Sequence, residues 1–294
     1  MKILIYYFSA TGNTKMLADE YKRTFETYGH EVTLRELSGC TPPVVSDIDA
    51  FDRIGIGYPI HAFNAPRIIL KLCKALPKRD RRAAPKNVFV LKTSGEPVRM
   101  SDVSSLKMRG MLRRRGYNVI NEYQYVMPYN IIFRHTDEQA FRMWETAKKL
   151  VKVDISEISQ DRRSLPRKMF MGGFLAWILR IEHWGAKILG RGFKTNSDCV
   201  NCGLCVRACP ANNIKVKKNG KLKFGWHCMI CMRCVFKCPK NAIVPGILKN
   251  WKVNGDYTFA CPEQPSPPTK HDDYCKTAYD RYYAQAEEKI NSEK

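Results

Sequence analysis

Two runs of cysteine constrain this chain more than any other feature. Cys199, Cys202, Cys205 and Cys209 are spaced x2, x2 and x3 and are followed by Pro210; Cys228, Cys231, Cys234 and Cys238 repeat the spacing and are followed by Pro239. Each cysteine recurs at an offset of 29 residues, so the pair is an internal duplication. Three thiolates on one tight turn suit an iron–sulfur cubane, whereas structural zinc usually joins a C-x2–4-C pair to a second, distant pair. The motif therefore favours iron–sulfur clusters, with a pair of zinc sites as the alternative. Eight of the twelve cysteines fall in these runs. In a long chain without a secretory pattern, that reads as metal binding and not as a disulfide framework.

Between the runs, Ile214–Phe224 alternates apolar and basic residues around Asn219-Gly220, the strongest short hairpin signal. Such a hairpin would lay an apolar face against the clusters. This segment resembles the bacterial-type two-cluster ferredoxins. In that arrangement the fourth cysteine of each run ligates the other cluster. The resemblance implies one [4Fe-4S] cluster on Cys199, Cys202, Cys205 and Cys238, and a second on Cys228, Cys231, Cys234 and Cys209. Residues 199–260 hold eleven Lys and Arg against one acidic residue, unlike the acidic small ferredoxins. Positive charge beside a cluster favours its reduced form, so less negative potentials are expected.

The first ~150 residues alternate strand-like and helix-like stretches, the pattern of βαβ units and a parallel sheet. Strands are predicted at 2–8, 31–34, 53–57, 87–92 and 118–126. Helices are predicted at 13–28, 67–76, 103–115 and 137–153. The first strand runs into Ser9-Ala10-Thr11-Gly12-Asn13-Thr14 at the start of a helix. By itself such a turn also serves as a simple helix cap. As a phosphate cradle it would offer inward N–H groups, the helix dipole and the hydroxyls of Ser9, Thr11 and Thr14.

This turn, at the first strand, resembles the FMN phosphate loop of flavodoxins. Two later loops, Gly57–Pro66 and Thr93–Glu96, fall where that family contacts the flavin ring. The resemblance implies an α/β fold with a flavodoxin-like, doubly wound, parallel five-stranded sheet, followed by a small α+β ferredoxin-type two-cluster domain. The FMN contacts it implies are Ser9, Thr11, Gly12, Asn13 and Thr14, then Tyr58, Pro59, His61, Phe63 and Asn64, and finally Thr93, Ser94 and Gly95. His61 could donate a hydrogen bond or a proton to FMN, or be structural. The whole chain resembles the flavodoxin–ferredoxin fusions of anaerobes known as the EFR1 family, which implies FMN ahead of two [4Fe-4S] clusters.

Four segments are expected. They are a flavodoxin-like FMN-binding domain at 1–155, a basic linker with an apolar or amphipathic helix at 156–193, the ferredoxin domain at 194–250, and a proline-containing tail with a terminal helix at 251–294. The apolar run Met169–Leu179 is too short to span a bilayer. It is expected to pack between the domains or shield a cluster. Peripheral contact of 162–184 with an anionic membrane is the alternative. Cys40, Cys73, Cys261 and Cys275 lack ligand spacing, and Cys73 is expected in the core.

No signal peptide or transmembrane run is recognised, so a cytoplasmic location is expected. The formal charge of +22 suits an acidic redox protein or a reductase as partner. Nucleic acid is not expected, since no recognition motif accompanies the basic stretches. The expected function is electron transfer between FMN and two clusters, to or from a redox partner. The alternatives are an FMN-dependent reductase of a small organic substrate fed by the clusters, and a redox sensor that binds nucleic acid.

Overall fold

The computed structural model describes residues 1–38, 43–80, 82–167, 169–264, 266–267, 269, 271 and 273–292. Cys40, Lys168 and two of the prolines within 262–269 lie outside them.

Strands that are apolar on both faces and separated by helices assemble into a parallel sheet. β1 (Lys2–Tyr7), α1 (Asn13–Thr27), β2 (Glu31–Glu36), β3 (Arg53–Pro59), α2 (Arg67–Ala75), β4 (Lys86–Ser94), α3 (Leu106–Arg113) and β5 (Tyr117–Val126) follow in sequence, and α4 (Asp137–Ser159) closes the unit. The strand order is β2-β1-β3-β4-β5 and all pairings are parallel. This is the flavodoxin-type doubly wound order, whose winding reverses between β1 and β3. Along β1, Leu4 and Tyr6 pack under α2 and α3, while Ile3 and Ile5 pack under α1 and α4. Cys73 of α2 is fully buried, as expected. A capping box of Thr136 and Gln139 starts α4. The boundary expected at residue 155 falls inside α4, which continues to Ser159.

α5 (Gly172–Ile178) and α6 (Glu182–Arg191) are joined by one 3-10 turn, Leu179–Ile181; α5 lies against α3 and the 3-10 stretch before it, and α6 against the 3-10 stretch Gly246–Trp251. The buried face of this rod is made of small residues, Gly172, Ala176, Ala186 and Gly190. Its aromatic and isoleucine side chains point outward, whereas Leu175, Leu179 and Leu189 are partly buried. The expectation that this segment is buried holds only for the small-residue face. At Gly190 the backbone comes so close to Cys228 that a side chain would not fit.

The cysteine-rich segment is a compact set of short elements. β6 (Lys194–Thr195) pairs with β9 (Ile243–Val244), and α7 (Leu204–Ala208) and α8 (Arg233–Phe236) each carry the third cysteine of a run. β7 (Ile214–Val216) and β8 (Leu222–Phe224) form the expected antiparallel hairpin, with Gly220 at φ 76°. Ile214 and Phe224 bury against Cys205, Cys209, Cys234 and Cys238.

The last helix, α9 (Lys276–Asn291), returns to the first domain and packs on α4. Its Lys289 lies 2.5 Å from Asp154 and 3.1 Å from Glu157. The buried Asp154 carboxyl also accepts from Tyr125, and burial pushes it up to about 6. Lys289→Met should leave that carboxyl without its cation and destabilise the fold by ~3 kcal/mol. A shift of the urea midpoint at pH 7 checks this. Among the described residues, no helix is long and apolar enough to cross a membrane.

Candidate functional site

The carboxyl ends of the strands converge on a cavity of about 450 Å³, within the roughly 300–1,000 Å³ typical of small-molecule sites. The loop leaving β1 supplies one wall. Gly12 caps α1 at φ 119°, a conformation a side chain would strain, and its N–H donates to Ser9 Oγ at 3.2 Å. The loop is held in place from the far strands. Asn130 Nδ2 donates to Thr11 Oγ1 at 3.0 Å, Asn13 Nδ2 donates to the Pro128 carbonyl at 2.8 Å, and the hydroxyls of Thr14 and Thr93 are 2.7 Å apart. Ser9, Thr11, Asn13 and Thr14 line the cavity, as do Thr93, Ser94 and Gly95.

Pro59, His61 and Phe63 also line it, from the tight loop after β3. There Ala62 and Phe63 take positive φ, 35° and 64°. Non-glycine residues seldom do so outside sites that need a fixed shape.

Three expected contacts are placed elsewhere. Gly12 is the helix cap and does not line the cavity. Tyr58 shares a face of β3 with Ile54 and Ile56 and is fully buried in the core with them. The two-residue repeat of a strand sends it inward, away from the loop mouth. Asn64 is buried and ties the loop to the rod, donating to the Leu179 carbonyl at 3.0 Å and to Glu182 Oε2 at 3.3 Å.

An aromatic wall comes instead from Tyr129, in the loop after β5. Its hydroxyl donates to Glu96 Oε2 at 2.7 Å, and its ring fills the space a side chain at Gly95 would need. Tyr274 and Tyr279 of the tail hold the same loop through Glu96 and the Gly95 carbonyl. The rule that places ligands at strand ends would have found Tyr129 from Met127-Pro128-Tyr129-Asn130 after β5. No local pattern marks the tail tyrosines.

Burial sets the charge states around the cavity. His61 is pushed down to about 4 by burial and by His183, and His183 likewise to about 4. Glu182, in the cavity wall, is pushed up to about 8 by burial, against the pull of Asn64 and Arg67. It is therefore a protonated acid at neutral pH.

Beneath Tyr129, burial holds His135 at about 4. Its Nδ1 accepts from the Tyr129 N–H at 3.1 Å. An unfolded chain takes up this proton near 6.5, but the folded chain cannot until about 4. Stability tied to His135 is therefore full above 6.5 and falls with decreasing pH, by about 2 kcal/mol between pH 7 and pH 5. His135→Gln, which keeps an acceptor, should flatten that part of the acid branch in urea titrations.

The eight run cysteines sort into two rings. Cys199, Cys202, Cys205 and Cys238 surround one space, and Cys209, Cys228, Cys231 and Cys234 surround another. The duplication extends to the backbone. Left-handed residues recur at the offset of the cysteines: Asn201 with Ile230 at φ 53° and 47°, Gly203 with Met232 at 71° and 55°, and Asn212 with Asn241 at 48° and 51°. Such turns aim N–H groups inward. Asn213 donates to Cys209 Sγ and Ala242 to Cys238 Sγ, each at 3.3 Å, and Ile230 donates to Cys228 Sγ at 3.4 Å.

Burial and neighbouring thiols push Cys231 up to about 12 and raise Cys234 well above its ordinary value. Thiolates crowded in a dry space repel one another, and a cationic iron core relieves that while the N–H donors stabilise sulfur charge. The residues thus fit cubane clusters. Among the described residues, no group of three or more His, Cys, Asp or Glu side chains is drawn in around a single ion.

Residues 189–243, from within α6 to β9, match the family model of the 4Fe-4S dicluster domain. The C-terminal region therefore carries a small ferredoxin-type 4Fe-4S domain. No curated protein matches the sequence. Among solved structures, a flavodoxin from the domain Archaea is similar at 14% identity, covering 54% of this chain and 99% of that one, with a TM-score of 0.36. A Streptococcus pneumonia TIGR4 flavodoxin is similar at 15% identity, covering 55% and 99%, with a TM-score of 0.40. A Bacillus cereus Flavodoxin 2 is similar at 20%, covering 54% and 99%, with a TM-score of 0.38. The strand order and parallel pairing carry the fold assignment. Iron–sulfur ligation behind a flavodoxin-like sheet gives the chain a redox role in electron transfer.

The cavity and one thiol ring share a wall. Met229 and Ile230, the two residues between Cys228 and Cys231, line the cavity. Arg67, in the first turn of α2, donates to the Cys228 carbonyl. Glu182, Ala186 and Leu189 of α6 complete that side with Leu248 and Trp251. The ring at Cys199–Cys205 shares no lining residue with the cavity and opens to solvent, with Cys202 and Val200 exposed.

Proposed function

We propose that this chain is an electron-transfer protein of the EFR1 flavodoxin–ferredoxin type, holding FMN in the cavity and one [4Fe-4S] cluster in each thiol ring. The shared wall at Met229–Ile230 carries this reading, because it sets the cavity beside the Cys228 ring. Ser9, Thr11 and the N–H groups at the start of α1 would hold a phosphate. Tyr129, Phe63, His61 and Trp251 would flank a flat ring. When bound, FMN exchanges one or two electrons and the clusters carry them singly. α6 walls one side of the cavity. The exposed ring, in a segment with eleven basic residues and one acidic, suits an acidic redox partner in the cytoplasm.

Anaerobic purification followed by iron, sulfide and flavin analysis tests the reading. About eight irons and one FMN per chain are expected. Zinc in place of iron, or no flavin after reconstitution, would overturn it. A second reading, reduction of a small organic substrate in the same cavity, draws on Glu182, an acid held protonated in the wall. Turnover of enones or quinones with a reduced carrier would select it.

A further inference from the structure

The rod at α5–α6 has two opposed faces. Glu182, Ala186 and Leu189 line the cavity. On the outer side Phe174, Trp177, Ile178, Ile181, Trp184 and Ile188 are exposed, from 43% at Ile178 to 75% at Ile181. At 3.6 residues per turn these six fall within a stripe of about 120°. Trp226 and Ile247, also exposed, stand beside its C-terminal end, where Arg191 lies 4.2 Å over the Trp226 ring and Gly246 abuts Gly192. Three of the chain's five tryptophans, 177, 184 and 226, are more than half exposed on this side. A residue type that proteins normally cover is here gathered at the surface.

The charges on this face have one sign. Lys187 lies 4.3 Å over the Trp184 ring, and Arg180 and Arg191 follow the same flank of the rod. Arg163 and Arg167 are exposed just before it. Between residues 162 and 191 the one acidic residue is Glu182, and it lines the cavity.

We propose that the α5–α6 rod is a peripheral anchor that lays its tryptophan-bearing face on an anionic lipid bilayer. A convex stripe of Phe, Ile and Trp edged by Lys and Arg has the makeup of an interfacial helix, with its rings at headgroup level and its cations against lipid phosphate. Because α6 also walls the cavity, docking would set that cavity beside the membrane surface. This inference does not depend on which cofactor the cavity holds.

The test is co-sedimentation of the anaerobically purified full chain with vesicles at physiological salt. One set contains phosphatidylglycerol and phosphatidylcholine, the other phosphatidylcholine alone. Partition into the anionic set is expected, with tryptophan emission moving to the blue and quenched by brominated acyl chains. Trp177→Ser/Trp184→Ser should lower partition ~tenfold or more with iron content and circular dichroism unchanged. No binding to the anionic vesicles at physiological salt would overturn the proposal. So would a serine variant that binds as well as the parent, which would reduce the effect to bulk charge. A dimer in sedimentation equilibrium that the serine variant abolishes, without vesicle binding, would instead assign the face to contact between copies and also overturn it.

Discussion

Cys234→Ser is expected to lose about half of the iron and to cut the cavity off from the exposed thiol ring. Cys234 lies on α8 within the ring that backs the cavity, packed beside Ile214 and Phe224. A serine hydroxyl does not ionise there and is a poor iron ligand. The matching change in the exposed ring, Cys205→Ser, should lose the other half of the iron and leave the cavity side intact. The pair of variants therefore separates ligation from order. Iron and sulfide per chain should fall alike in both. Rapid reoxidation of reduced flavin should be lost at the first electron in Cys234→Ser, and only on the way to an external acceptor in Cys205→Ser. Equal behaviour of the two in flavin reoxidation would show that the shared wall is not the route.

Gly190→Val should produce nearly the same loss without replacing a ligand. A Cβ at Gly190 would overlap the Cys228 side chain and stand 2.5 Å from its Sγ. Neither side can retreat. α6 is pinned by Ala186 and Leu189 in the cavity wall and by Gly246 against Gly192 at its end. Cys228 is anchored through its carbonyl by Arg67. Iron should drop by about half, and the flavin content of the purified protein should fall with it, because α6 is common to both sites. Gly173→Ala and Gly185→Ala lie on the same rod with nothing within 4 Å of a new Cβ. These should keep full iron and raise the thermal midpoint slightly, since alanine favours the helix by about 0.5–1 kcal/mol. A loss of iron in these two would mean that helix stiffness, and not the contact with Cys228, governs the site.

Much of the site was legible from local pattern. The cysteine spacing, the Asn219-Gly220 turn and the Ser9–Thr14 loop each describe a stretch whose geometry depends on its own residues. The structure gathers the two thiol sets that the ferredoxin resemblance implied. It also repeats their backbone turns at the same offset. Tyr58 was read as a flavin contact because its loop ends a strand, but strand alternation sends its side chain into the core. Tyr129 was overlooked although β5 ends beside it.

The rod shows where such reading stops. Periodicity distinguishes an apolar face from a small-residue face, but not which of them meets the rest of the protein. Here Gly172, Ala176, Ala186 and Gly190 lie inside, Gly190 against Cys228, and Trp177 and Trp184 are left outside. The tail is similar. Its helix could be read locally, but its docking on α4 joins residues 135 positions apart, and the grip of Tyr274 and Tyr279 on the cavity loop joins residues 178 and 184 apart. By itself the sequence determined the ligand chemistry, the parallel βα alternation and the turn types, all of which are short-range properties. Only the tertiary structure decided that the Cys228 ring shares a wall with the cavity and that the apolar face of the rod looks out. Both depend on how separately formed elements pack, and packing between them is fixed by shape across space rather than by spacing along the chain.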